Sequence, residues 1–418
     1  MNSQKVIDEI LKQDLGSAEI SLELALQTDN ADSIEALGDA LLRLGFIQWA
    51  QRAYEQLLAI DSKNSQVKLS LAEIAIEEGH SETALDYLLA VPETDDNYVT
   101  ALMLQADLYE AEGMLDVAEL KLSAAAKLTD EPLVKLGLAE ILFAAGKFSA
   151  AIQNYAVLDA TEILEETRIS IYERIGTCYA YLGKYEHAIS FFEKALAIEV
   201  TGQVLWEIAN LYYSLGEFDK ANIYFNQLAM FEPDFEDYQY LYAKSLMAEE
   251  LLPEAAEIIK DGLSRNQYQP KLLHLASENS YRLHQFAAAE TYLWDALKLP
   301  ELNDETVRRL ANLLVASNQF AAAKQLLTSN REINELDATS LWNLAKACQE
   351  LDEIELASEA YQLASESLQE DPEFLKDYAL FSKANGLLFT KPIQLIEAYL
   401  QAFPEDSAMF DFFSDLND

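Results

Sequence analysis

Basic side chains are scarce in this sequence: 29 lysines and arginines stand against 72 aspartates and glutamates, for a net charge of −43. Nucleic acids and anionic membrane surfaces are held through basic patches, so the balance argues against both as partners. Cysteine is nearly missing. Cys178 and Cys348 lie far apart and fall where helix interiors are expected, so no disulfide is expected and both read as small core residues. The four histidines do not cluster. His274 and His284, the nearest pair, are roughly two to three helical turns apart, which gives no shared metal. No apolar run approaches membrane-spanning length, and the opening MNSQKVIDEI has neither a basic start nor an apolar stretch, so a cytoplasmic protein is expected. There is no phosphate-cradling glycine loop and no Ser/His/Asp order in turn context. No cofactor and no catalytic residue is assigned, and the expectation is a protein that is not an enzyme.

What the chain has is a rhythm. YLGKYEHAISFF (181–192) is followed 33 residues later by SLGEFDKANIYF (214–225), with Leu-Gly, an aromatic and an alanine in register. A helix pair of that size cannot offset its own ordering entropy, but stacked copies bury a continuous core. The alanine of HAIS and KANI recurs at Ala50, Ala84, Ala118, Ala151, Ala188, Ala221, Ala255, Ala289, Ala323 and Ala357. The steps are 34, 34, 33, 37, 33, 34, 34, 34 and 34 residues, so the 418 residues read as one elongated body of repeats, each touching its neighbours.

Each unit has a physical grammar. Five residues before the marker comes Gly45, Gly79, Gly113, Gly146, Gly183 or Gly216, then Glu250, His284, Asn318 or Asp352 in later units. Such a residue ends a first helix in a left-handed conformation. Glutamate suits that geometry poorly, and Pro253 close behind Glu250 suggests a reshaped turn there. Phe148, Tyr185, Phe218, Phe286 and Phe320 follow two residues after the turn and should pack between the two helices. Four residues beyond the alanine comes another large residue, such as Tyr54, Tyr155, Phe192, Phe225 or Tyr361. Twelve before it a small one, such as Gly38, Gly176 or Ala209, should let small residue face small residue. Pro92, Pro132, Pro233, Pro270, Pro300 and Pro372 fall between units, where they should stop the second helix.

These classes at this spacing resemble the tetratricopeptide repeat. The unit running through Tyr172, Ile175, Gly176, Tyr179, Gly183, Tyr185, Ala188, Phe192 and Ala195 follows the pattern almost throughout, though Val200 stands at the usual proline site. The likeness is strong over residues 31–371, and in length and acidity the chain is similar to uncharacterised cytoplasmic tetratricopeptide proteins of Gram-positive bacteria. The resemblance implies an all-α, right-handed superhelical solenoid of stacked helix-turn-helix units. Its first helices should line a concave groove that holds a peptide or a partner's helix.

On that frame residues 1–30 form a degenerate capping helix pair with Gly16 between its helices. Residues 31–164 form an N-terminal half of about four repeats with an acidic groove, carrying Glu35, Asp39, Glu73, Asp107, Glu110 and Glu140. The 37-residue step around ATEILEETR (160–168) divides it from residues 165–371, about six repeats with an aromatic and basic groove. Residues 372–418 are a divergent last repeat and an acidic capping helix. The groove residues of the second half are Trp206, Asn210, Tyr213, Tyr240, Lys244, His274, Tyr281, Arg308, Asn312, Trp342 and Lys346. Residues 251–350 hold 10 basic and 13 acidic side chains, nearly balanced in so acidic a chain. The same cations and rings would also serve as polar and aromatic packing against adjacent helices. The clamp that grips chaperone tails in this family would use Arg308, Asn312 and Asn343, but its remaining two cationic positions hold Glu373 and Asp377. The function expected is a non-enzymatic scaffold or adaptor holding an acidic and apolar segment of a partner protein. A peptide-responsive regulator acting through a protein partner and a non-catalytic subunit of an enzyme complex remain as alternatives.

Overall fold

The computed structural model describes residues 2–236, 238–299, 303–329, 332–387 and 390–417. Among these residues are twenty-six α-helices, one short 3-10 turn (Ile333–Glu335) and no strand, the all-α repeat fold expected. The chain forms two compact units, Met1–Glu207 and Ile208–Asp418. Within each, a first helix packs on the second helix of its own pair, and that second helix packs on the first helix of the next. Apolar side chains thus find partners both within their own pair and in the next, as a repeat core requires.

The turns are alike at all ten marked units. Gly45, Gly79, Gly113, Gly146, Gly183 and Gly216 have φ between 70° and 80°, and Glu250, His284, Asn318 and Asp352 between 57° and 60°. At each the following N–H closes a six-residue loop onto the first helix, as in Lys184 N to Tyr179 O (2.9 Å) and Leu251 N to Leu246 O (2.9 Å). The turn at Glu250 is therefore not reshaped. Arg282, from the next pair, donates to the Met247 carbonyl at 3.1 Å and pairs with the Glu250 carboxylate at 2.7 Å, which anchors the side chain that glycine lacks. Pro253 sits within the first turn of helix Leu252–Arg265, where its missing N–H costs nothing.

All ten marker alanines are 0% exposed, and the large residues four positions on are buried with them. Small does not face small, however. A Cβ on Gly176 would lie 2.8 Å from the Phe192 ring, and one on Gly38 would lie 2.9 Å from the Tyr54 ring, so the small residue makes room for a ring of its own pair. The aromatics after the turn pack near the surface. Phe148 stacks on Tyr181 at 4.7 Å, and Phe218 and Phe286 meet Tyr213 and Tyr281 edge-on at 5.5 and 5.2 Å.

The prolines between units act differently from expectation. Pro132, Pro270 and Pro372 open the next first helix, the position where an N–H has no partner to lose. Pro92 and Pro233 lie in turns, and Pro300 lies outside the described residues. The 37-residue step becomes a shortened second helix, Phe148–Tyr155, followed by an added helix, Ala160–Thr167, inside the first unit. At the N-terminus the left-handed turn residue is Gln13 and not Gly16, because Asp14 caps helix Leu15–Thr28 through the Ser17 N–H and draws Gly16 into the helix. Both cysteines are buried thiols. At the other end Met409 and Leu416 of helix Ser407–Asn417 join the core of the last pairs, while Phe410 remains exposed.

Candidate partner-binding face

The 34-residue period sets equivalent positions of successive first helices side by side. In the second unit these helices include Tyr238–Ala248, Pro270–Arg282, Asn303–Ala316, Ala338–Glu350 and Pro372–Ala384. One register position runs Lys244, Glu278, Asn312, Lys346, and the position a turn earlier runs Tyr240, His274, Arg308, Trp342. Helix Gly202–Ser214 carries Trp206, Asn210 and Tyr213, with Trp206 on the first unit's side of the division and half-buried.

The cations here are not bare. Lys244 Nζ lies 5.8 Å from the Tyr213 ring and 5.6 Å from the Tyr240 ring, and its bond with Tyr213 holds its pKa above the usual lysine value. Lys346 Nζ lies 4.1 Å over the Trp342 ring, and burial pushes its pKa down despite Asp377 nearby. Asp377 is pushed up by the same burial, and it accepts from Trp342 Nε1 at 3.0 Å. Arg308 is half-buried and bound to Glu305. His274 is buried, with Nε2 2.8 Å from Thr306 Oγ1. Burial and then the charge of Arg309 hold its pKa below the histidine range, so the ring is neutral near pH 7. Asn343 Nδ2 donates to Asn312 Oδ1. The two clamp asparagines are thus engaged with each other.

Two open clefts interrupt this face. One, of about 300 Å³, is lined by His274, Ser277, Glu278, Tyr281, Arg309 and Asn312 over an apolar floor that includes Leu293 and Leu313. The other, of about 360 Å³, is lined by Lys346, Gln349, Glu350, Tyr361, Asp377 and Leu380 among others. The structure therefore brings His274, Tyr281 and Asn312 together, and sets Lys346 apart from them with Asp377. Arg309 and Ser277 were not among the groove residues expected from the sequence. Arg309 follows Arg308 directly, and helical phase alone does not say which of two adjacent arginines reaches the cleft.

The corresponding face of the first unit is acidic. Asp39 accepts from Tyr54 Oη at 2.6 Å, and Glu140 accepts from Tyr155 and Arg174. Burial raises the carboxyl pKa of Glu73, Asp107, Glu173 and Glu207. Among the described residues no group of His, Cys, Asp and Glu could hold a metal ion, and no helix is long and apolar enough to cross a membrane.

Residues 339–406 match YpiA-like, C-terminal tetratricopeptide repeats, and residues 111–163 match YpiA-like tetratricopeptide repeats. Residues 41–108, 169–199 and 202–235 match tetratricopeptide repeats in general. The TPR repeat-containing protein YpiA of Bacillus subtilis (strain 168) is 28% identical over 317 residues, which span 76% of this chain and 75% of that protein. Among solved structures, a tetratricopeptide repeat protein from Parabacteroides merdae is 21% identical over 59% of this chain and 97% of its own, with a TM-score of 0.35. YrrB, described as a TPR protein with an unusual peptide-binding site, is 16% identical over 44% of this chain and 94% of its own, with a TM-score of 0.37. With ten equivalent turns and these matches along both units, the chain is a tetratricopeptide repeat protein similar to those of Gram-positive bacteria.

Proposed function

We propose that this chain is a non-enzymatic interaction scaffold whose second unit holds an acidic segment of another protein, bearing apolar or aromatic residues, across its first helices. The observation that carries the reading is the alternation of cation and ring on one face, Lys244 with Tyr213 and Tyr240, then Lys346 with Trp342, interrupted by two side-chain-sized clefts. Aromatic walls supply apolar contact, and the cations supply charge-assisted bonds to carboxylates. A catalytic reading asks for shifted titratable groups gathered in a closed pocket. Here His274 belongs to one open cleft and the Lys346 and Asp377 pair to another.

The test is direct binding of a fluorescein-labelled glutamate–tyrosine copolymer to the full chain, followed by anisotropy at about 0.15 M salt. The wild-type chain should bind it in spite of a net charge of −43, and Lys244→Gln with Lys346→Gln should weaken binding at unchanged helix content. Absence of binding, or indifference to both substitutions, overturns the assignment to this face.

A further inference from the structure

Arg309 differs from the other cations of the face in what its donors do. Its Nε donates to Glu305 Oε1 at 2.6 Å, its one side-chain hydrogen bond among the described residues. Its Nη1 lies 4.0 Å from the Glu278 carboxylate, close enough for attraction but beyond hydrogen-bond reach. The terminal nitrogens, with N–H groups fixed in one plane, therefore stay unengaged at the cleft that both residues line. Lys244 and Lys346 are held by rings and Arg308 by Glu305, so none of those offers an open fork.

The surroundings narrow what such a fork can take. Asn312 accepts from Asn343, which leaves its own amide N–H groups as donors, and Tyr281 contributes a hydroxyl and a ring that is 46% exposed. Leu293 and Leu313 make the floor apolar. The charged groups around the site are Arg308, Arg309 and Lys244 against Glu305 and Glu278, and His274 adds none while it is neutral. One open guanidinium end over an apolar floor suits a single planar carboxylate that takes the place of Glu278. A phosphate has no apolar part to cover that floor.

We infer that this cleft is the anchor subsite for the bound segment: it takes one aspartate or glutamate side chain beside an apolar residue, with Arg309 as its bidentate partner and Glu278 as the resident counter-ion displaced. The inference rests on the scaffold reading above and adds the specificity-determining pair. In the same copolymer assay on the full chain, Arg309→Gln should weaken binding about tenfold, the usual scale for a lost charge-assisted bond. Arg309→Lys should recover only part of this, because a point charge replaces a fork. Glu278→Gln should tighten binding severalfold, a gain that misfolding cannot produce. Inorganic phosphate should compete no better than chloride at equal ionic strength.

Wild-type binding that is indifferent to Arg309→Gln and Glu278→Gln overturns the subsite and leaves the broader face standing. Failure of the wild-type chain to bind the copolymer sinks both. Phosphate competition well above the ionic-strength effect overturns the choice of a carboxylate.

Discussion

Replacing Gly176 with alanine tests the contact that makes these helix pairs close. The added Cβ would lie 2.8 Å from two carbons of the Phe192 ring and 3.1 Å from a third, and that ring is fully buried with no route to solvent. Overpacking of this kind costs about 1–3 kcal/mol, while alanine in place of glycine inside helix Ile171–Tyr181 returns about 1 kcal/mol. Gly176→Ala alone should therefore lose about 1 kcal/mol. With Phe192→Leu the ring is gone, and the same alanine should gain about 1 kcal/mol from helix propensity. The coupling between the two sites is then about 2 kcal/mol, well within the range seen for touching residues. Unfolding of a repeat stack need not be all-or-none, so the readout is native-state hydrogen exchange of helices Ile171–Tyr181 and Tyr185–Ile198. A coupling within about 0.5 kcal/mol of zero would falsify the claim that the ring occupies the space glycine leaves.

Two further outcomes follow from the turns and the carboxylates. Nothing lies within 4 Å of a Cβ built on Gly183, so Gly183→Ala should cost only the left-handed backbone, about 1 kcal/mol, and Gly183→Asn less, as Asn318 holds the same turn later. Equal melting temperatures for the two variants would refute this. Burial raises the pKa of Glu73, Asp107, Glu173 and Glu207, so just above the ordinary carboxylate range these four bind more protons in the folded chain and add stability as pH falls from 7 toward about 5; His274, held low by burial, opposes them, and the four outweigh the one. Asp14, Asp29, Asp95 and Asp130 are lowered by hydrogen bonds, so their contribution is lost as pH drops below about 4. A melting temperature that declines steadily from pH 7 downward would contradict that order.

Much of the fold was legible because repetition averages out local ambiguity. One alanine proves little, but ten at a near-constant step set the register, and the turn residue five positions earlier then had one conformation open to it. Glu250 shows where local propensity misleads. Its turn looked poorly served, yet Arg282, 32 residues on, secures it. Prolines read as stops turned out to be starts, because the same boundary is the end of one helix and the first turn of the next. Of the candidate face, the rings and cations were visible as a periodic set, but their pairing was not.

The sequence by itself determined the repeat length, the all-α class and the position of every marked turn, since these depend on helical period, side-chain size and left-handed backbone tolerance, all of which act within one unit. Tertiary structure alone decided that Phe192 sits over Gly176, that Lys346 lies on Trp342, and that Arg309 and not Arg308 reaches the cleft. Those facts depend on how side chains from different helices share space and charge. A periodic pattern specifies which residues meet the same face, but not which of them find a partner there.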